Sequence, residues 1–377
     1  MSQAGDTAAG TARRLRMPTI GVFGAIWIAT ALLFIISPLV ASESLSNSAI
    51  QAMLPLAGIL AVAAVGQTLV IQQGGLDLSV PGMFSLGVVL VVVVPGGDPG
   101  QLGVALLLVA LVGFAGGLLN GLAISRLGIT PLVATLGMNG ILIGVVLTVT
   151  GGSINFEATS NWSDFASSKV FGIPMLFVVA VAFVLVMHFL LRRTVWGRRF
   201  DLVGANPAAA RAAGLRVERV QLSSYVIAGF CYAIAGALLA GYLGRPQLFA
   251  GEEYLLTSIA AVVLGGTALG GGRGSVIATL AGVLFISQLN QVVLLLGATQ
   301  AVQYMIQGAI IALGMGLRNV PWHSLRGKSG GGSDPDPSPP PDRVEGHGDG
   351  SADVRPRGGI EESGGGASAP QPGVVNQ

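Results

Sequence analysis

Long apolar runs separated by short polar breaks fill the chain from about residue 19 to residue 317. A helix needs about 20 residues to cross the hydrocarbon, within a range of about 17–25. On that measure the runs predict spans at 19–40, 49–71, 78–94, 102–125, 131–150, 174–191, 219–241, 254–269, 275–296 and 301–317. The expected fold is an all-α integral membrane protein with about ten transmembrane helices, some of them short or broken. The eighth run, TSIAAVVLGG, is short and ends in glycine, so it is the candidate for a broken or re-entrant helix. The first run exceeds the apolar core of a signal peptide, about 7–15 residues, and is expected to be a retained span.

The flanks differ in kind. Residues 1–17 are small and polar. Residues 318–377 are rich in Gly, Pro, Ser and Asp and include GGGSDPDPSPPPD, a composition that cannot bury a core. Both are expected to be disordered tails around a transmembrane domain at 18–317.

Charge orients this layout. Fifteen basic residues fall in the segments assigned to one side, counting Arg13, Arg14, Arg16, Arg126, seven arginines from Arg192 to Arg219, Arg273, Arg318, Arg326 and Lys328. Only Lys169 and Arg245 fall on the other. Basic loops stay in the cytoplasm, so both termini and the Leu191–Arg219 loop are expected there, with the spans in the cell membrane. Six crossings and then four satisfy that parity.

Composition narrows the chemistry. Charged residues are 10% of the chain against 52% apolar, where a soluble domain carries about 25% charged residues. The net charge of +2 does not indicate nucleic acid. One cysteine, Cys231, excludes a disulfide within the chain, and His188, His323 and His347 have no ligand spacing. No cofactor or metal site and no catalytic constellation is expected. Glu252 and Glu253 read as solvated charges at a span boundary.

The spans hold almost no ionisable groups, although an ion-coupled carrier usually keeps some to hold its coupling ion. They hold amides and hydroxyls instead, among them Gln67, Asn120, Thr135, Asn139 and Asn290. Gln303 and Gln307 share a helix face, and Gln288 and Gln291 are three apart. A neutral polar solute crossing the bilayer needs weak hydrogen-bond partners, so these four glutamines are the pathway candidates. They can equally serve as interhelical bonds, worth about 0.6 kcal/mol each.

Three breaks carry motifs. The Leu191–Arg219 loop contains NPAAARAAG. Asn206 can cap a short helix, Pro207 suits its first position, Ala208, Ala209, Ala210 and Arg211 favour it, and Gly214 can end it in a left-handed conformation. Seven residues make about 10 Å of helix, too short to be stable alone in water, which suggests display to a partner. GGLDLSV contains Gly74, Gly75, Asp77 and Ser79; the glycines permit a tight turn, and Asp77 or Ser79 can cap the helix that follows. GGTALGGGRGS, from Gly265 to Ser275, lacks the Lys-Ser/Thr pair of a phosphate loop and reads as a flexible hairpin.

Four stretches in order resemble one family. They are GGLDLSVPGMFSLG, NGLAISRLGITPLVATLGMNGILIG, VWGRRFDLVGANPAAARAAGLRVERVQLSSYVIAG and GEEYLLTSIAAVVLGGTALGGGRGSVIATLAGVL. They look like the permease subunits of ribose-type ATP-binding cassette (ABC) importers, which include branched-chain amino acid permeases as more distant relatives. The resemblance covers roughly residues 45–317. It implies a pathway subunit without its own nucleotide site, in an assembly of two permease copies or homologues, cytoplasmic ATPase subunits and an extracytoplasmic solute-binding protein. It also implies that the Asn206–Gly214 helix is the coupling helix that docks on the ATPase. Pro81-Gly82 departs from the Gly-Ser of many relatives, and the polar tail lies outside the family pattern. The expected cargo is a monosaccharide such as ribose. A branched-chain amino acid or other neutral solute, or a stand-alone carrier, remains the alternative.

Overall fold

The structure, a computed structural model, describes residues 22–319. The expected disordered segments, 1–17 and nearly all of 318–377, lie outside the described residues. Thirteen α-helices are described: α1 Val22–Val40, α2 Asn47–Gln72, α3 Val80–Val93, α4 Leu102–Ser125, α5 Pro131–Thr150, α6 Ser160–Ser167, α7 Met175–Arg193, α8 Val195–Ala205, α9 Pro207–Ala212, α10 Val217–Leu243, α11 Glu252–Leu264, α12 Val276–Leu295 and α13 Gln300–Asn319. The only described strands, β1 Lys169–Val170 and β2 Ile173–Pro174, form a small antiparallel hairpin between α6 and α7.

Among the described residues, seven helices are long and apolar enough to cross a membrane: α1, α2, α4, α5, α7, α10 and α12. The chain is a multi-pass membrane protein. Two expected spans are shorter than their apolar runs. α3 has 14 residues and α11 has 13, which at 1.5 Å per residue is about 20 Å against a hydrocarbon core of about 30 Å. They lie side by side, with Phe84 stacked on Tyr254 at 4.2 Å between ring centroids and the Gly251 amide donating to Ser85 Oγ at 3.2 Å.

Irregular backbone beside these short helices survives because protein covers it. Asp77, Ser79 and Thr267 are buried, and the Gly272 amide donates to the Gln72 carbonyl at 3.0 Å. The Gly265–Ser275 hairpin is thus bonded to the end of α2.

α10 runs through the middle of the bundle, against α2, α3 and α4. Small residues let it in. A Cβ built on Gly113 would lie 2.8 Å from the Gly229 carbonyl oxygen. One on Gly121 would lie 2.6 Å from Leu222 Cδ1. Close backbone approach of this kind drives packing where lipid supplies no hydrophobic contrast between helices. Tyr232 of α10 is fully buried and donates its hydroxyl to Gln67 Oε1 of α2 at 2.6 Å. Cys231 is buried in the same core. The outer helices turn large apolar side chains outward, among them Ile35, Leu107, Leu111, Leu136 and Ile141.

Two local expectations change. Neither Asp77 nor Ser79 caps α3 with its side chain. Asp77 Oδ1 instead accepts from the amide and hydroxyl of Ser79, at 2.9 and 2.6 Å, and Ser79 Oγ accepts from Asn120 Nδ2 of α4 at 2.9 Å. The first turn of α3 is satisfied from α5, where Asn139 Oδ1 accepts from the Gly82 amide at 2.7 Å. The second change is α8, which occupies a stretch expected to be loop apart from the alanine helix.

Candidate functional site

Two regions gather the expected site residues, one at each end of α2. At its C-terminal end, α8 and α9 form a compact cap. Thr194 accepts from the Gly197 amide at 3.1 Å and so starts α8. Its Phe200 and Val203 are buried with Val65, Leu69, Val217 and Val220.

α9 follows at once. Asn206 Oδ1 accepts from the Ala209 amide at 3.0 Å, and Pro207 takes the first helical position. The helix closes on Gly214 at φ +78, with the Gly214 amide bonded to Arg211 O and the Leu215 amide to Ala210 O, both at 3.0 Å. That pair of bonds is the left-handed glycine stop expected from the sequence. Pro207, Ala208, Ala209, Arg211 and Ala212 are exposed, whereas Ala210 is buried against the α8 and α10 side chains. Ala210 therefore packs α9 against the bundle, and the exposed surface of α9 consists of its neighbours, with exposed Leu202 of α8 nearby in sequence. Arg211 is ion-paired to Glu218 at 3.0 Å.

The cap is fastened to the bundle through polar groups. Gln72 Nε2 donates to Asp201 Oδ1 at 2.7 Å, and Gln73 Nε2 donates to the Phe200 carbonyl at 2.9 Å. Half-burial pushes the Asp201 carboxyl above its ordinary value, opposed by Arg192 and by the bond from Gln72. A Cβ on Gly204 would lie 2.5 Å from Gln72 O, and one on Gly272 would lie 3.5 Å from Ala205 Cα. Gln72 and Gln73 immediately precede the Gly74–Ser79 break. Gly74 takes φ +78 there, and Gly75 packs against the Tyr225 hydroxyl so closely that any side chain would displace it. α8 thus contacts both the end of α2 before the Gly74–Ser79 break and the Gly265–Ser275 hairpin.

At the other end of α2, a cavity of about 420 Å³ lies among the N-terminal half of α2, the start of α11, the C-terminal half of α12 and α13. Its polar lining includes Asn290, Gln291, Gln303, Thr257, Ser287 and Glu253, and its apolar lining includes Met53, Leu56 and Leu60. Of the four pathway candidates, Gln291 and Gln303 reach this cavity and Gln288 does not line it. Gln288 is buried and donates to Ser37 Oγ of α1 at 2.9 Å. Gln307 is buried and accepts from Thr257 Oγ1 at 3.2 Å. Gln291 serves both ends, lining the cavity and donating to the Ser44 carbonyl at 2.9 Å. Glu253 is exposed in the first turn of α11, as a solvated boundary charge would be. It lines the cavity and accepts a hydrogen bond from Gln300. Among the described residues, no group of three or more His, Cys, Asp or Glu side chains is placed to hold a metal ion.

The chain is similar to known proteins over most of its described length. The family described as branched-chain amino acid transport system / permease component matches residues 49–315. The ribose import permease protein RbsC of Bacillus subtilis (strain 168) is 35% identical over 301 residues, covering 79% of this chain and 91% of the relative. The autoinducer 2 import system permease protein LsrD of Yersinia enterocolitica (serotype O:8 / biotype 1B) is 33% identical over 269 residues, covering 70% of this chain and 81% of the relative. LsrD of Yersinia pseudotuberculosis (serotype O:3, strain YPIII) is also 33% identical over 269 residues, covering 70% of this chain and 80% of the relative. No solved structure matches the chain significantly.

Proposed function

We propose a function for this chain on one premise: it belongs to the branched-chain amino acid transport system / permease component family. Members of that family are permease subunits and not themselves enzymes. The function we infer is the translocation pathway of an ABC importer for a monosaccharide or a related small polyol. The observation that carries the sugar reading is the 35% identity to a ribose import permease across 91% of that relative. The cavity adds room and polar groups, set among the apolar side chains of Met53, Leu56, Leu60, Leu294 and Leu295. Its volume falls within the range of about 300–1,000 Å³ usual for small-molecule sites, and amides and hydroxyls make up most of its polar lining.

In this reading the end of the bundle that carries α8 and α9 faces the cytoplasm, and both termini lie on that side. The exposed face of α9 docks on a cytoplasmic ATPase subunit, which hydrolyses ATP. The cavity end receives solute from an extracytoplasmic binding protein, and a second permease copy or homologue completes the assembly. Movement of the ATPase reaches the bundle through α8, Gln72 and Gln73. The test is co-purification with the ATPase, followed by binding-protein-dependent ATP hydrolysis across a panel of monosaccharides and branched-chain amino acids. Stimulation by leucine or valine and by no sugar would reverse the cargo assignment.

Orientation has its own test. The one native cysteine, Cys231, is buried, so introduced cysteines report cleanly. Ser163→Cys, in α6, is expected to react in intact cells with a membrane-impermeant thiol reagent, and Ala212→Cys only after the membrane is opened. Equal labelling of the two in intact cells would overturn the orientation.

The cavity makes a quantitative prediction. Gln303→Leu with Asn290→Leu removes two polar groups from its lining while keeping similar volume. Each lost hydrogen bond to a passing solute is worth about 0.5–1.5 kcal/mol, so the maximal uptake rate is expected to fall roughly tenfold at normal membrane abundance. Gln288→Leu instead removes a bond to α1 and is expected to lower abundance or thermal stability and not the rate per molecule. Unchanged transport by the double variant would move the pathway elsewhere.

A further inference from the structure

The arginine-bearing end has a second pocket, of about 430 Å³, between the C-terminal end of α4 and the start of α10. Ser125, Arg126, Arg216, Glu218, Arg219 and Leu222 line it. Glu218 is neutralised by Arg211 at 3.0 Å, outside the lining. None of Arg126, Arg216 and Arg219 makes an ion pair among the described residues, whose salt bridges are Arg192–Asp201, Arg211–Glu218 and Arg245–Glu157. Three unopposed cations in one concavity repel one another, and nothing in the bundle needs all three. Arg126 alone suits the negative dipole end of α4, but Arg216 and Arg219 add to the positive end of α10. Beside the arginines the surface turns apolar, with Leu119, Leu127 and Ile129 exposed.

We propose that this pocket binds the phosphate group of an anionic phospholipid at the membrane surface. The guanidinium groups suit phosphate oxygens, to which each can donate two parallel N–H bonds. The Ser125 hydroxyl is already donated to the Gly121 carbonyl at 2.6 Å, so the arginines carry the recognition, and the exposed leucines and isoleucine accommodate the acyl chains. The assignment does not depend on which face of the membrane this end occupies, because both leaflets contain phospholipid. It is also independent of the cargo.

The test uses the full chain in phosphatidylcholine nanodiscs doped with phosphatidylglycerol, with retained lipid counted by native mass spectrometry. A basic residue at the membrane surface contributes roughly fivefold to the affinity for anionic lipid. Arg126→Gln, Arg216→Gln and Arg219→Gln together are therefore expected to lose phosphatidylglycerol by about a hundredfold. Arg198→Gln with Arg199→Gln, exposed arginines on α8 outside the pocket, are expected to retain it. Equal loss from both variants would mean that overall surface charge attracts the lipid, and the pocket assignment falls. Inorganic phosphate is tried on the lipid-free protein in detergent. Thermal stabilisation by phosphate equal to that by phosphatidylglycerol would make the ligand a soluble anion and overturn the lipid assignment. Should the triple variant fail to accumulate, Arg219→Gln alone is expected to show the single fivefold step, and no loss there would also overturn the proposal.

Discussion

Ala209→Asp is expected to abolish uptake while leaving a correctly inserted chain. Ala209 is exposed on α9, and its amide is capped by Asn206. An aspartate at this third helical position sits near the positive end of the helix dipole, so it favours α9 by about 0.3–1 kcal/mol. The helix itself is therefore preserved. Against a partner surface the same carboxylate becomes a buried charge without a counter-ion, at a cost of about 3–5 kcal/mol. That weakens docking by a hundredfold or more. The measurement pairs membrane abundance with ATPase co-purification and uptake: normal abundance with loss of both others is the expected result. Ala210→Trp is the informative contrast. Ala210 faces inward, so the tryptophan is expected to displace α9 from α8 and α10 and to lower stability as well. Normal uptake by Ala209→Asp would reduce α9 to a surface turn.

The parts of this site that are local were legible in the sequence. Asn206 and Gly214 act through bonds to residues three positions away, and Pro207 through its fixed φ and missing donor, and such signals need no tertiary knowledge. Span boundaries were legible for the same reason: α4 Leu102–Ser125 and α5 Pro131–Thr150 begin and end at the expected residues. α8 was missed, although Trp196, Phe200 and Val203 stand at i, i+4 and i+7 and Thr194 precedes them as a cap. The arginines between these positions masked the apolar stripe.

The direction of the glutamines could not be read. A membrane helix is apolar on every side, so its sequence carries no period that says which face meets another helix and which meets a cavity. Gln288 and Gln291, three apart on α12, both bond to α1 or the turn that follows it, at Ser37 and at the Ser44 carbonyl, yet only Gln291 also lines the cavity. The lengths of α3 and α11 were likewise hidden, because the apolar runs continue into glycine-rich segments that leave the helix. What the glycines do there depends on the Gln72 carbonyl, which accepts from the Gly272 amide 200 positions away.

Gly117→Leu is expected to prevent accumulation of the folded protein. Gly117 lies midway along α4, facing α10. A Cβ there would fall 2.8 Å from Val226 Cα and closer still to the Tyr225 carbonyl oxygen. The obstacle is backbone, so no rotamer change relieves it, and the two helices must separate. Separation uncovers the neighbouring contacts of Gly113 with Gly229 and Gly121 with Leu222. It also shifts Tyr225, whose hydroxyl packs against Gly75. Overpacking in a dense interior costs about 1–3 kcal/mol where side chains can adjust. A backbone clash in the central helix pair is expected to exceed that and to consume much of a marginal stability of about 5–15 kcal/mol. Gly137→Leu supplies the comparison: it is also a mid-helix glycine, in α5, but a Cβ there meets nothing within 4 Å. Leucine is the better helix former by close to 1 kcal/mol, so Gly137→Leu is expected to accumulate at least as well as the parent chain. Fluorescence-detected gel filtration of both variants in mild detergent reads the difference. A monodisperse Gly117→Leu peak with an unchanged thermal midpoint would mean that α4 and α10 lie farther apart than the glycine contacts place them.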